Sequence, residues 1–273
     1  MAEQLVVGVV GLGAMGGPIA HHLARAGVPV VVADLDEEAV RGCVAAGMSQ
    51  ATGLRDLASR ADVVLVVVAT DDEVQTVCSG EHGLLSGCRP GSAVLLCSSV
   101  RPATCAAVTE EAPAGVAVLD AALTGGVRGA ERGRINLLVG GDAAALDRVR
   151  PVLAPWTASV HHLGPIGSGQ VGKTANNMIH WAQISAITEA LELGRRYGLD
   201  VPTLRAALMD GPTDSRTLRE LEQMRFTWHA KDLANATAMA AAVGLSLPVA
   251  ETAREVMQSV TVAGVAELLG GRA

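Results

Sequence analysis

Aromatic residues are nearly absent from this chain: Phe226, Tyr197 and three tryptophans are all it has in 273 residues. Its core must be assembled from Ala, Val and Leu, which favours close packing of helices and strands. Cysteine is sparse and odd in number, with five residues at Cys43, Cys78, Cys88, Cys97 and Cys105 and no C-x-x-C pair. That distribution argues against a disulfide framework and against a metal site, and fits buried thiols in a reducing compartment. No apolar run reaches the roughly 18 residues that span a membrane. The opening "MAEQLVVGVVGLG" lacks a basic segment followed by a cleavable apolar one. A soluble, cytoplasmic protein without a membrane partner is therefore expected. A basic stripe is missing too, and the net charge is -7, which argues against a nucleic-acid partner. Lysine is scarce.

What is present is apolar. Hydrophobic residues make up 49% of the chain, enough for a sizeable core and against disorder. "LVVGVV" (5–10), "VPVVVA" (28–33), "DVVLVVV" (62–68) and "SAVLLC" (92–97) are dense in β-branched residues. Runs this continuous suit strands buried on both faces of a parallel sheet. "GAMGGPIAHHLARAG", "DEEAVRGCVAAG" and "DDEVQTVCSG" lie between them with helical spacing. The β-α-β-α order predicts an α/β, doubly wound sheet. "GVAVLD" (115–120), "INLLVGG" (135–141) and "ASVHHLG" (158–164) read as later strands.

From residue 165 the strand pattern stops. "KTANNMIHWAQISAITEALELGRRYG" reads as one long helix ended by Gly198, and "VPTLRAALMDG" as another with Pro202 in its first turn. "ELEQMRFTWHAKDLANATAMAAAVG" and "PVAETAREVMQSVTVAG" read as further helices. The expected division is a nucleotide-binding domain over 1–164 and an all-helical domain over 165–273.

"GLGAMG" (11–16) matches G-x-G-x-x-G, a weak signal alone but placed here between a strand and a helix. Gly11 permits the tight turn, Gly13 lets a pyrophosphate approach the backbone, and Gly16 lets the helix pack on the sheet. Leu12, Ala14 and Met15 complete the turn, whose helix end offers N–H groups to phosphates. Asp34 ends the second strand, where a carboxylate would bind the ribose hydroxyls of NAD and repel the extra phosphate of NADP. No arginine follows it, so NAD is the preferred cofactor and NADP the alternative. Ala69 and Thr70, after the third apolar run, are counted with the cofactor residues.

"DAALTGGVRGAERG" (120–133) sets Thr124, Gly125 and Gly126 after a strand. Adjacent glycines behind a hydroxyl can aim N–H groups at one carboxylate, although a flexible hairpin loop is the other reading. Arg128 and Arg134 read as solvated. In "GSGQVGKTANNMIH" (167–180), Lys173, Asn177 and His180 or Trp181 share one helix face. Lys173 is expected near the helix start, where the dipole and partial burial would both lower its pKa. Such an amine can give a proton to a carbonyl oxygen and take it back. An exposed lysine on a helix surface remains the alternative at this point.

Four motifs in one order, "GLGAMG", "DAALTGGVRGAERG", "GSGQVGKTANN" and "KDL" (231–233), resemble the β-hydroxyacid dehydrogenase family, which includes 3-hydroxyisobutyrate dehydrogenases and tartronate semialdehyde reductases. The resemblance covers nearly the whole chain. It implies a Rossmann domain, a long interdomain helix, an all-helical C-terminal domain, and assembly as a homodimer or homotetramer. It also implies hydride transfer between a nicotinamide cofactor and a small carboxylic acid, a 3-hydroxy acid or its semialdehyde. By the same resemblance Lys173 is the catalytic lysine and Asn177 orients the substrate. Thr124, Gly125 and Gly126 hold the carboxylate, Ser98 and Ser99 lie beside the nicotinamide, and Lys231 closes over cofactor and site. Asp232 reads as structural and Trp228 as a pocket wall. The chain departs from the family with Thr124 where serine is usual, Ser99 where threonine is common, and "RINLL" at 134–138. Rival readings are an imine reductase, whose relatives usually have Asp or Tyr where Lys173 stands, and a non-catalytic nucleotide-binding interaction protein. A full 6-phosphogluconate dehydrogenase fits less well, since the chain is short and offers few basic residues for a sugar phosphate.

Overall fold

The computed structural model describes residues 4–270. They form two compact units, one ending at Lys173 and the other beginning at Thr174. The first unit holds the strands β1 (Val7–Val10), β2 (Val30–Ala33), β3 (Ser49–Gln50), β4 (Val63–Val66), β5 (Ala93–Leu96), β6 (Ala117–Thr124), β7 (Ile135–Gly140) and β8 (Thr157–Gly164). They lie in the order β3-β2-β1-β4-β5-β6-β7-β8. Every pairing is parallel except β6 with β7. The connection from Gly125 to Arg134 explains the exception: a parallel return needs a crossover of about a dozen residues or more.

Helices α1 (Gly16–Arg25), α2 (Glu37–Ala45), α3 (Leu54–Arg60), α4 (Asp71–Cys78), α5 (Pro102–Glu111), α6 (Gly126–Glu131) and α7 (Ala143–Leu153) connect the strands. The apolar runs of the sequence are strands because both their faces are covered. Val63 and Leu65 belong to one hydrophobic cluster with α1 and α2, while Val64 and Val66 belong to another with α3, α4 and α5. Period-two alternation thus feeds two cores from one strand. Local signals set the helix starts: Asp36 accepts the N–H groups of Glu38 and Ala39, and Asp142 accepts that of Ala145. Cys43, Cys78, Cys97 and Cys105 are buried and Cys88 is half-buried, all as free thiols. Burial pushes the Cys78 and Cys97 thiols up to about 12, so they remain protonated and inert.

Helix α8 (Ser168–Arg196) starts in the first unit and continues through the second. It begins five residues ahead of Lys173, so "GSG" lies at and inside its start. The second unit adds α9 (Val201–Met209), α10 (Arg216–Arg219), α11 (His229–Ala242), α12 (Pro248–Val256) and α13 (Val262–Leu268). No strand follows β8 among the described residues. Its core gathers Trp181, Ile184, Leu191, Leu221, Phe226, Leu233 and Met257. Two expected helices are broken. After a 3-10 turn at Leu221–Gln223 the chain is non-helical through Trp228, which seats Phe226 in the core. The last stretch splits after Val256, and the Thr261 hydroxyl caps α13 by accepting the Gly264 N–H at 3.0 Å.

Candidate active site

The carboxyl ends of β1, β2, β4, β5 and β6 form one edge, with the strand order reversing between β1 and β4. Ligands of open α/β sheets bind along such an edge at the reversal. The glycine turn sits there. Gly11 follows β1 and donates its N–H to the Ala33 carbonyl at 3.0 Å. A Cβ on Gly16 would lie 1.9 Å from the Gly11 oxygen, so α1 can leave the turn only from glycine. Gly13 faces open space, with no atom within 4 Å of where its Cβ would stand. That is the cradle a pyrophosphate needs, and a side chain there would fill it. Ala14 is exposed, and Met15 is half-buried ahead of α1.

Leu12 donates its N–H to Asp34 Oδ2, and Asp36 donates its N–H to Asp34 Oδ1 at 2.8 Å. The carboxylate therefore ties the end of β2 to the glycine turn. Two donors leave it lone pairs for ribose hydroxyls, since a carboxylate accepts at roughly four sites. The side chain of Leu35, just beyond it, is exposed.

Ala69 and Thr70 lie past β4 and their placement has a local cause. Thr70 caps α4 by accepting the Glu73 N–H at 3.1 Å, while Glu73 accepts the Ala69 N–H at 2.9 Å. This pair is a variant of the capping box, with the return bond going to the residue before the cap. Ser98 and Ser99 follow β5, Ser98 buried and Ser99 half-buried. The Ser98 hydroxyl donates to the Val66 carbonyl at 3.4 Å.

The Thr124–Gly126 segment is a strand-to-helix turn and not a flexible hairpin. Gly125 and Gly126 have φ of 112° and 62°, and α6 follows directly. The Thr124 hydroxyl donates to the Asn136 carbonyl across the β6–β7 pair at 3.1 Å. Its proton is engaged, so the turn presents N–H groups more than the hydroxyl. Arg134 is exposed as expected, whereas Arg128 is half-buried.

Lys173 is half-buried on α8 and lies beyond its first turn. It is near the helix start, as expected, but the dipole effect fades within the first turn and so acts weakly on it. Asn177, one turn on, is buried and its Oδ1 accepts from Asn176 Nδ2 at 3.2 Å. In the second unit Trp181 Nε1 donates to Asp232 Oδ2 at 3.1 Å, a structural bond for Asp232. Lys231 is half-buried on α11, and Trp228 precedes that helix with an exposed side chain.

Sequence reasoning missed Asp120 and Gln170. Asp120 is fully buried on β6 and accepts the N–H groups of Gly167 at 2.7 Å and Gln170 at 2.8 Å. It caps α8 from 50 residues away, so no local pattern could announce it. Burial pushes its carboxyl above the usual range against the pull of those N–H donors. The strand that ends in the Thr124–Gly126 turn thus also anchors the helix that carries Lys173. A depression of about 430 Å³ beside α1 and α2, lined by Leu12, Pro18, His21, Arg25 and Cys43, reaches the glycine turn at Leu12.

Comparison with known proteins places the chain. Residues 6–164 match the family of the NAD binding domain of 6-phosphogluconate dehydrogenase. Residues 167–268 match the NAD-binding family of NADP-dependent 3-hydroxyisobutyrate dehydrogenase. The chain belongs to the β-hydroxyacid dehydrogenase family. It is similar to the NAD-dependent L-serine dehydrogenase of Pseudomonas aeruginosa, 38% identical over 72% of this chain and 67% of the relative. It is also similar to the 2-hydroxy-3-oxopropionate reductase of Escherichia coli, 31% identical over 96% of this chain and 93% of the relative. The solved structure of Mycobacterium tuberculosis 3-hydroxyisobutyrate dehydrogenase with L-serine superposes with a TM-score of 0.85 at 27% identity, covering 94% and 93% of the two chains. Like other β-hydroxyacid dehydrogenases, this chain is an NAD(P)-dependent oxidoreductase. Among the described residues no helix is long and apolar enough to cross a membrane.

Proposed function

We propose that this β-hydroxyacid dehydrogenase interconverts a small 3-hydroxy acid and its semialdehyde, with Lys173 as general acid and base. A nicotinamide dinucleotide, when bound, supplies or accepts the hydride. One observation carries the reading: Gly11–Gly16, Asp34, Ala69, Thr70, Ser98, Ser99 and Thr124–Gly126 all lie at or just past the carboxyl ends of strands along a single sheet edge. The glycine turn, open at Gly13, holds the diphosphate. Asp34 holds the ribose hydroxyls, and its negative charge, followed by Leu35 and Asp36, selects NAD over NADP. Ser98 and Ser99 border the nicotinamide position.

The N–H groups of Gly125 and Gly126 bind the substrate carboxylate, which orients its carbinol carbon. Lys173 takes the hydroxyl proton in oxidation and returns it to the carbonyl oxygen in reduction. Asn177 directs its amide N–H groups at the same oxygen, because its own Oδ1 is held by Asn176. By family resemblance Lys231 serves the cofactor, and the enzyme works as a homodimer or homotetramer. Relatives named for L-serine and 2-hydroxy-3-oxopropionate support a short, polar acid as substrate. Lys173 weighs against imine reduction, since imine reductases usually have Asp or Tyr at that position.

The test is a panel of 3-hydroxy acids, semialdehydes and cyclic imines, followed by NADH and NADPH absorbance. Acids are expected to turn over with NAD, and imines are not. Lys173→Ala should lower kcat by about a hundredfold or more with NADH binding kept. Near-normal turnover in that variant would remove Lys173 from the proton-handling role.

A further inference from the structure

We infer that Gln170 is a positioning residue that ties the Ser98–Val100 turn to the helix carrying Lys173. Gln170 is 1% exposed. Its Nε2 donates to the Ser98 carbonyl at 2.8 Å, and its Oε1 accepts the Val100 N–H at 3.2 Å. Its own backbone N–H donates to Asp120 Oδ2 at 2.8 Å. The side-chain amide therefore pairs with the turn as a peptide group would, giving one donor and one acceptor two residues apart. A flipped amide would face N–H against N–H, so the two bonds define its orientation.

The chemistry admits few replacements. Glutamate keeps an acceptor for Val100 but has no donor for Ser98 when ionised, and methionine has no donor and only a weak acceptor. The consequence lies one helical step further on. Residues three apart on a helix are neighbours, so Gln170 fixes the turn at Ser98 and Ser99 relative to Lys173 through a rigid span. Hydride transfer is sensitive to such placement, since about 1 Å of error can cost about a hundredfold in rate. The inference rests on the proposed position of the nicotinamide beside Ser98 and Ser99.

The experiment compares NADH with ADP-ribose, which lacks the nicotinamide, by titration calorimetry on the full chain. In Gln170→Met, ADP-ribose affinity should stay within about twofold of the parent while NADH affinity falls by about fivefold or more. The kcat for the acid should fall about tenfold or more with its KM within about threefold. Gln170→Glu, of nearly the same shape, should give the same pattern. If both ligands weaken by one factor, or neither weakens, Gln170 is a structural residue only and the inference falls. It falls equally if neither variant yields folded protein. Selective loss of NADH in a protein that turns over no acid would leave the inference standing and overturn the proposed function instead.

Discussion

The indole N–H of Trp181 on α8 donates to Asp232 on α11 at 3.1 Å. The same indole lies edge-on to the His229 ring with centroids 6.0 Å apart. One side chain thus holds the first turn of α11, where Lys231 sits, against the long helix. Trp181→Phe keeps the ring packing but removes the donor, leaving a carboxylate without that partner. The expected cost is about 1–2 kcal/mol, read as a lower urea midpoint. An unchanged midpoint would show that the bond carries no stability.

The glycine turn separates two effects that are usually confounded. Gly16→Ala places a Cβ 1.9 Å from the Gly11 oxygen, so it should lower both the melting temperature and NADH affinity. Gly13→Ala meets no protein atom within 4 Å. It should leave the melting temperature within about 2 °C of the parent and weaken NADH by about tenfold or more. Unaltered NADH affinity in Gly13→Ala would place the diphosphate elsewhere.

Asp34 holds the Leu12 and Asp36 N–H groups, and the proposed function gives it a second task, opposing a ribose phosphate. Asp34→Ser should therefore weaken NADH by about tenfold and shift the NADPH-to-NADH preference toward NADPH by about tenfold or more. Parallel Kd measurements for both cofactors check this. A fall in both affinities with a constant ratio would assign Asp34 the structural task alone.

Asp71 joins the start of α4 to that of α5. Burial pushes its carboxyl up, but the Thr104 hydroxyl, the Arg101 N–H and the Arg101 guanidinium outweigh it and hold the carboxyl below its ordinary 3.8. The folded state therefore favours the ionised form. The stability this confers is complete above 3.8 and is lost as pH falls through the lower folded value. Asp71→Asn should be less stable than the parent by about 1 kcal/mol at pH 7, with the gap closing in acid. Denaturant melts at about pH 7 and pH 3 measure it, and a gap that widens in acid would contradict the assignment.

The legible parts of this chain were those whose causes are local in sequence. Valine-rich runs mark strands because a doubly covered strand has no polar face to display. "GLGAMG" marks the nucleotide turn because a side chain at Gly16 has nowhere to go. The bond that holds Asp232 agrees with its reading as a structural residue. The break at Met224–Trp228 was not legible, because helical spacing in "ELEQMRFTWHAKDL" says nothing of the core that draws Phe226 inward.

Composition and spacing alone determined the class of fold, the cofactor-type turn and the face of the helix that carries Lys173 and Asn177. Where that helix begins, which way β7 runs and where the Thr124 proton goes were decided only by the folded chain. Each depends on partners distant along the sequence: Asp120 for the helix end, β6 for the returning strand, Asn136 for the hydroxyl. A hydrogen bond between residues so far apart leaves no periodic trace, because its geometry exists only after both cores have closed.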